Sequence, residues 1–375
     1  MTLKAVNLGM NERVECAETL ASRYYTDPAI LALEKERIFH RTWQLVGTLG
    51  QPCGEANGAK RTIADPSAFF TVDLIGEPVV IVRDNAGTLR AFSNVCRHRA
   101  GPIAQGAGCR NVFQCAYHGW TYTLDGRLIG TPEVDGVEFF DRSTMGMVPL
   151  RCETWEQFIF VNFDREAPPL SAFLGNIPEL ASAFSFGDIE LAERRDYIVN
   201  SNWKVYVDNF LEGYHIPIVH PGLMKEIDYP RYRTEVFRYH SQQLGPVKEV
   251  KPGDGVERIY TPGPGLSEAL YFWVFPNLML NIYPDNIQTN VVVPLSHDKT
   301  LVIFEWFFHD AQSESVKARA QKAIGFSNTV QQEDADICAA VQRGLQSATY
   351  NRGRYSVKRE NGVHHFHMLL SEFLQ

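Results

Sequence analysis

Excess positive charge is missing from this chain: 36 Lys and Arg stand against 44 Asp and Glu, a formal net charge of -8. No broad basic field is therefore present to hold nucleic acid or an anionic membrane surface. Long apolar runs are missing as well. The longest, Ala269 to Tyr283, is interrupted by Pro276, Asn277 and Asn281, and it falls short of the about 20 apolar residues that cross a bilayer. The opening MTLKAVNLGMNERVECAETL carries acids and no continuous apolar stretch, unlike a secretory signal, so a cytoplasmic location is expected. Repeats and low-complexity tracts are absent, and with 45% hydrophobic and 21% charged residues the composition is that of an ordinary globular protein. Cysteine is sparse: Cys16, Cys53, Cys96, Cys109, Cys115, Cys152 and Cys338 are an odd seven spread over 375 residues. That is unlike a secreted disulfide framework and turns attention to metal ligation.

The length of 375 residues calls for two folding units or one large composite. Asp27-Pro28 followed by AILALEKERIFHRTW predicts a helix with Asp27 as N-cap and Pro28 in its first turn. From 45 to 150 the text turns to short β-rich runs such as PVVIVRD and LRAFSNV, punctuated by Asn85-Ala86-Gly87 and Asp125-Gly126. The stretch Asn162 to Ser171, with Pro168-Pro169, reads as a connection. Beyond it a helix is expected over 202–216, strands near 231–250, 257–261, 270–283, 287–294 and 300–309, and a long helix over 311–345. The expected class is α+β: an all-β module at 45–160 beside an antiparallel-sheet domain built from 161–375 and the helical part at 1–44.

Two short clusters carry chemistry. Cys96-Arg97-His98 and Cys115-Ala116-Tyr117-His118 are separated by sixteen residues. A Cys₂His₂ zinc site ordinarily keeps its two Cys together and its two His together. Here each cluster supplies one of each, as a Rieske [2Fe-2S] cluster requires when two cysteines hold one iron and two histidines the other. Gly101-Pro102 after the first cluster and Gly119-Trp120 after the second are turn-prone and let backbone approach the sulfides. Cys109 has no partner at matching spacing and reads as a small structural residue.

The run NVCRHRAGPIAQGAGCRNVFQCAYHGWTYTLDG resembles the cluster segment of Rieske non-haem iron oxygenases. Quinol-oxidising Rieske proteins usually have an additional clamping cysteine soon after the first histidine. Arg99, Ala100 and Gly101 stand there instead, so the oxygenase branch fits better.

A second constellation lies in NWKVYVDNFLEGYHIPIVH. On a helix Asp208, Glu212 and His215 would share one face, at i, i+4 and i+7. Pro217 is expected to end that helix near His215 and bring His220 in from an irregular segment. Two histidines and one carboxylate form the facial triad of a non-haem Fe(II) site, whose other face stays open to dioxygen. Candidate carboxylates are Glu333, Asp334 and Asp336, and spacing does not choose among them. The text EDADICAAVQRGLQS resembles the family's third-ligand segment and by that match selects Asp334. Glu212 resembles the family's bridging acid, which links a cluster histidine of one subunit to an iron-ligating histidine of its neighbour. A closed homotrimer is what that resemblance implies.

The same resemblance implies the terminal oxygenase of a multicomponent system. Electrons from NAD(P)H would reach it through a separate flavin and iron-sulfur reductase, since the chain has no G-x-G-x-x-G fingerprint and no cysteine set for a ferredoxin. Ring-hydroxylating dioxygenases usually have Asp at the bridging position. Glu212, the opening RYYTDPAILALEKERIFHRTWQLVG and the closing QRGLQSATYNRGRYSVKRENGVHHFH resemble instead the branch acting on choline, glycine betaine, carnitine and stachydrine. The expected reaction is hydroxylation or N-demethylation of a small quaternary ammonium or methylated amine. Aromatic-ring hydroxylation is the second reading, and a non-catalytic Rieske electron carrier, needing only the first constellation, is the third. Trp273, Phe275, Tyr283, Trp306 and Phe307 could offer aromatic faces to a cation, although most such residues are core. Asp208 could seat a cation or orient a ligand. His364, His365 and His367 read as packing or surface residues.

Overall fold

The computed structural model describes residues 6–56, 58–248, 268–283 and 285–375. By contacts the chain divides into two compact units, one made of Met1–Phe39 with Ser171–Gln375 and the other of His40–Leu170. Among the described residues no helix is long and apolar enough to cross a membrane.

The unit His40–Leu170 is built on a seven-stranded antiparallel sheet, with a three-stranded sheet formed by Val112–Gln114, Thr121–Thr123 and Leu128–Gly130. Its strand residues alternate between two cores. Phe69, Val80, Val82 and Phe92 join one cluster, which includes Phe113, Trp120 and Tyr122. Their neighbours Phe70, Val79, Ile81 and Ala91 join another with Ile159 and Val161. Because successive side chains of a strand point to opposite faces, an unbroken run such as Val79-Val80-Ile81-Val82 marks a strand buried on both sides. Cys96 and Cys115 belong to the first of these cores.

The other unit is a seven-stranded antiparallel sheet in the order Ile189–Val199, Lys299–His309, Asn286–Ser296, Leu278–Ile282, Glu268–Val274, His240–Pro246 and Arg233–Val236. The 32-residue helix Glu314–Leu345 is capped by the Ser313 hydroxyl, which accepts from Val316 N–H. The chain ends in the helix Asn361–Leu374. Near the start, Asp27 caps Pro28–Glu34 by accepting from Ala29 N–H. That helix is shorter than its apolar spacing predicts, passing into a π-helical turn at Lys35–Phe39 before Trp43. Its last residue, Glu34, is fully buried against the equally buried Lys204, and the Trp203 indole N–H donates to the same carboxylate at 2.8 Å. This pair fastens the early helix to Trp203–Phe210.

Several expected elements are corrected. The helix expected over 202–216 stops at Phe210, and Leu211 caps it through Val207 O. Gly213 follows, where a Cβ would stand 2.6 Å from the Tyr232 ring, so the chain leaves helical geometry to pass close to Tyr232. Asp208, Glu212 and His215 therefore do not share a helical face. Pro217 starts a short helix, Ile216–Val219, from its first turn instead of ending one, and His220 caps it. The expected strand at 231–250 is two, Arg233–Val236 and His240–Pro246, and the one at 270–283 is broken after Val274 by Phe275-Pro276-Asn277. The strand expected at 257–261 lies outside the described residues.

Candidate metal centres

In the β unit the two Cys-His loops have the same backbone pattern. Cys96 N–H donates to Gly101 O at 2.8 Å and Ala100 N–H returns to Cys96 O at 3.0 Å; Cys115 N–H donates to Trp120 O at 2.9 Å and Gly119 N–H returns to Cys115 O at 3.0 Å. The fifth residue of each loop, Ala100 or Gly119, has positive φ, 55° and 73°. Gly101 lets the loops approach each other, since a Cβ there would stand 3.1 Å from Cys115 Sγ. Buried Asn94 fixes the first loop by accepting from Ile103 and Ala104 N–H and donating to Ala104 O.

Both thiols are buried while His98 and His118 are exposed. The imidazoles meet with ring centroids 4.5 Å apart, and His98 stacks on Trp120 at 4.9 Å. The Tyr122 hydroxyl lies 3.3 Å from Cys96 Sγ and accepts from Arg97 N–H. Two inward thiols, two outward imidazoles and converging backbone fit a Rieske cluster with its cysteine-held iron inside and its histidine-held iron at the surface. Cys109 is exposed and outside this group.

In the other unit His215, His220 and Asp334 come together, with one ligand atom from each lying within 4.8 Å of the others. His215 Nε2 and His220 Nε2 are 3.1 Å apart, and Asp334 Oδ1 is 3.0 Å from the second and 3.7 Å from the first. The far nitrogen of each imidazole is held by a glutamate: His215 Nδ1 by Glu212 Oε1 and His220 Nδ1 by Glu333 Oε2, both at 2.6 Å. This is the outer carboxylate that metal-bound histidines ordinarily have. Burial opposes protonation of His220, yet Asp334 and Glu333 outweigh it and raise its pKa. The point between the three groups thus favours positive charge, and the donor set suits a divalent iron. Glu212 also accepts from Tyr214 and His215 N–H, fixing the turn that presents His215.

Of the candidate acids, Asp334 points to the histidine pair and Glu333 lies behind His220. Asp336 accepts from the Gln332 side chain on the same helix. Asp208 stands apart from the triad: it accepts from Tyr25 OH at 2.6 Å and pairs with His367 Nε2 at 2.9 Å. His367 in turn meets Tyr355 OH, and His364 meets Asn11 O, so these histidines hold the last helix in place.

A cavity of about 110 Å³ adjoins the three ligands, walled by Tyr206, Tyr232, Tyr271, Tyr283, Phe304 and Phe326 among others. Of the five aromatics singled out from the sequence only Tyr283 lines it; Trp273, Phe275, Trp306 and Phe307 are buried elsewhere in the core. Strand register decides this: Gln243, Tyr271, Asn281 and Gln288 face one another in a row across four strands, and all four line the cavity. A second cavity, of about 280 Å³, is lined by Asp208, Glu212, Glu360, His215 and His367. Glu212 and His215 thus stand in the wall between the two.

Known families match both units. Residues 186–375 match the ring hydroxylating alpha subunit (catalytic domain) and 58–141 the Rieske [2Fe-2S] domain. The chain is 36% identical to a chloroplastic choline monooxygenase of Arabidopsis thaliana, over 96% of this chain and 84% of the relative. It is 30% identical to the carnitine monooxygenase oxygenase subunit of Acinetobacter pittii, over 96% and 95%. A crystal structure of the quaternary ammonium Rieske monooxygenase CntA with L-carnitine superposes at a TM-score of 0.82, with 29% identity and both chains fully covered. A catalytic domain beside the cluster module is more than an electron carrier needs. The chain belongs to the Rieske oxygenases of the ring-hydroxylating alpha-subunit family, oxidoreductases with a [2Fe-2S] cluster and a mononuclear iron.

Proposed function

We propose that this protein is the terminal oxygenase of a Rieske monooxygenase acting on a small quaternary ammonium or methylated amine. The observation that carries the reading is an aromatic cavity opening directly on His215, His220 and Asp334. Tyrosine and phenylalanine faces attract an ammonium without giving it a counter-ion, and relatives named for choline and carnitine match nearly the whole chain. One atom of O₂ enters a C–H bond and the other leaves as water, with two electrons and two protons consumed. Hydroxylation of an N-methyl group gives a carbinolamine that releases formaldehyde.

In this reading Cys96, Cys115, His98 and His118 hold the cluster, and His215, His220 and Asp334 hold the iron. The iron supplies reduction of O₂. Glu212 and Glu333 fix the tautomer and direction of the two histidines, each accepting from an Nδ1–H so that Nε2 faces the ligand. The electrons start from NAD(P)H and arrive through a separate reductase. Their entry is at Glu212, which lines both cavities.

A second copy of the chain supplies the donor. The exposed loop tip with His98 and His118 carries Arg97, Arg99 and Tyr117, and the second cavity offers Asp208, Glu212 and Glu360, so the charges are complementary. Asp208 there serves position and charge. Phe139, wholly exposed, adjoins Phe140, which packs on Trp120, a surface expected to be covered by another protein. A closed ring of three copies satisfies every tip and every cavity.

The test is reductant-dependent O₂ uptake by the iron-loaded protein with a flavin reductase, against choline, glycine betaine, carnitine, proline betaine and benzoate. Formaldehyde or a hydroxylated product from an ammonium compound is expected. Turnover of benzoate alone would leave the oxygenase standing and remove the ammonium reading.

A further inference from the structure

One aromatic side chain of the cavity wall also packs against the segment that carries His215. Tyr232 lies between two glycines. A Cβ at Gly213 would stand 2.6, 2.9 and 3.0 Å from Cε1, Cδ1 and Cζ of its ring, and one at Gly245 would stand 3.5 and 3.6 Å from Cε2 and Cδ2 on the other edge. Gly213 belongs to the turn that presents Glu212 and His215, and Gly245 to the strand His240–Pro246. After the turn, Ile216 joins the same apolar cluster as Tyr232 and Ile227, so the packing around Tyr232 takes in chain both before and after His215. The Tyr232 hydroxyl donates to Gln243 Oε1 at 2.9 Å, and Gln243 Nε2 donates to Phe210 O at 2.6 Å, at the end of the helix that precedes the turn. Burial, and after it Tyr271 and Glu212, raise the pKa of this phenol well above its usual value, so it stays a donor. Arg359 holds the main chain by donating to Tyr232 O at 2.9 Å.

We infer that Tyr232 is a positioning residue for the proposed iron site: its ring sets where the turn with Glu212 and His215 lies and, because the same ring walls the cavity, ties the direction of His215 to the molecule that fills it. This rests on the reading of His215, His220 and Asp334 as iron ligands. A bound molecule shifts a group only through contacts that differ between two positions. The Tyr232 ring offers such contacts, since it bounds the cavity and at Gly213 no side chain stands between it and the main chain to take up a movement. Close-packed interiors pass a displacement on to their neighbours. A shift of about 1 Å at reacting groups is enough to cost about 100-fold in rate. A smaller aliphatic side chain at 232 leaves the turn unsupported on that side, whereas phenylalanine retains the support and loses only the bond to Gln243.

The experiment is anaerobic EPR of the reduced, iron-loaded holoenzyme with nitric oxide as a probe of the iron, with and without choline or L-carnitine, beside calorimetry and steady-state turnover. In wild type, whichever compound calorimetry shows to bind is expected to change the EPR signal. Tyr232→Phe is expected to give the same signals and a kcat within about tenfold of wild type, the value of one hydrogen bond. Tyr232→Leu, with iron content and cluster absorbance verified, is expected to give a signal unlike that of ligand-free wild type and unmoved by either compound, and to lose about 100-fold in kcat with a smaller change in KM. A loss confined to KM makes Tyr232 a wall of the cavity alone and overturns the inference, as does a Leu variant whose signals match those of wild type. A wild-type signal unmoved by a compound that binds overturns it without any variant having to fold. If neither compound binds, the ammonium reading fails, while the ligand-free signals still decide: identical signals from wild type and Tyr232→Leu overturn the inference. An iron content that Asp334→Ala leaves unchanged removes the iron reading and the inference with it.

Discussion

At the residue scale each histidine of the proposed iron site depends on a carboxylate behind it. Asp334→Ala is expected to abolish turnover and iron binding while leaving the cluster absorbance intact, because the cluster residues belong to the other unit. Metal analysis beside the visible spectrum checks this, and loss of both signals would mean a folding defect. Glu333→Gln retains the shape but weakens the hold on His220, so iron affinity should fall by about 10- to 100-fold, as measured by competition with a chelator. The sequence showed three acids within four residues and could not choose between Glu333 and Asp334 by spacing. Neighbouring helix positions lie about 100° apart, so only the packing of that helix decides which acid faces the histidines and which stands behind one.

At the element scale the buried Lys204–Glu34 pair joins two helices far apart in sequence. Burial raises the pKa of Glu34 and lowers that of Lys204, each opposed by its partner. Lys204→Met leaves the buried carboxylate without its cation and should cost about 3–5 kcal/mol, whereas Lys204→Met with Glu34→Leu should recover most of it; thermal unfolding of the two variants checks this. His240, at the start of the strand next to the sheet's edge and bonded to Asn176, has its pKa lowered from 6.5 to about 4 by burial and then by His365. Its contribution to stability is complete above pH 6.5 and is lost as pH falls towards 4, because the unfolded chain takes up a proton that the folded chain refuses. Between those values His240→Gln should unfold with a slope shallower by about 1 kcal/mol per pH unit, read from urea midpoints across the range.

At the scale of the whole molecule the proposed electron path crosses between copies. A protein carrying Asp334→Ala has a good cluster and no iron site, and one carrying His98→Ala has the reverse. Each should be inactive alone. If the proposed arrangement holds, mixed oligomers assembled by coexpression should recover a measurable fraction of wild-type turnover, because the cluster of one copy would then serve the iron of another. Failure of such mixed oligomers to recover any activity would exclude transfer between subunits.

The sequence by itself determined the chemistry of the cluster: two Cys-His pairs at fixed spacing indicate a Rieske centre through ligand type, and the family resemblance that this motif carries is what picks out the two histidines five apart and the acidic helix segment as an iron site. It also determined the β character of 45–150 and the cap at Asp27, since these are local properties of a few adjacent residues. Only the tertiary structure decided which aromatics line the cavity, because a strand's register sets which face meets the cavity and register is fixed by partners distant in sequence. It alone ended the helix at Phe210, where Tyr232 crowds Gly213, and so separated Asp208 from Glu212.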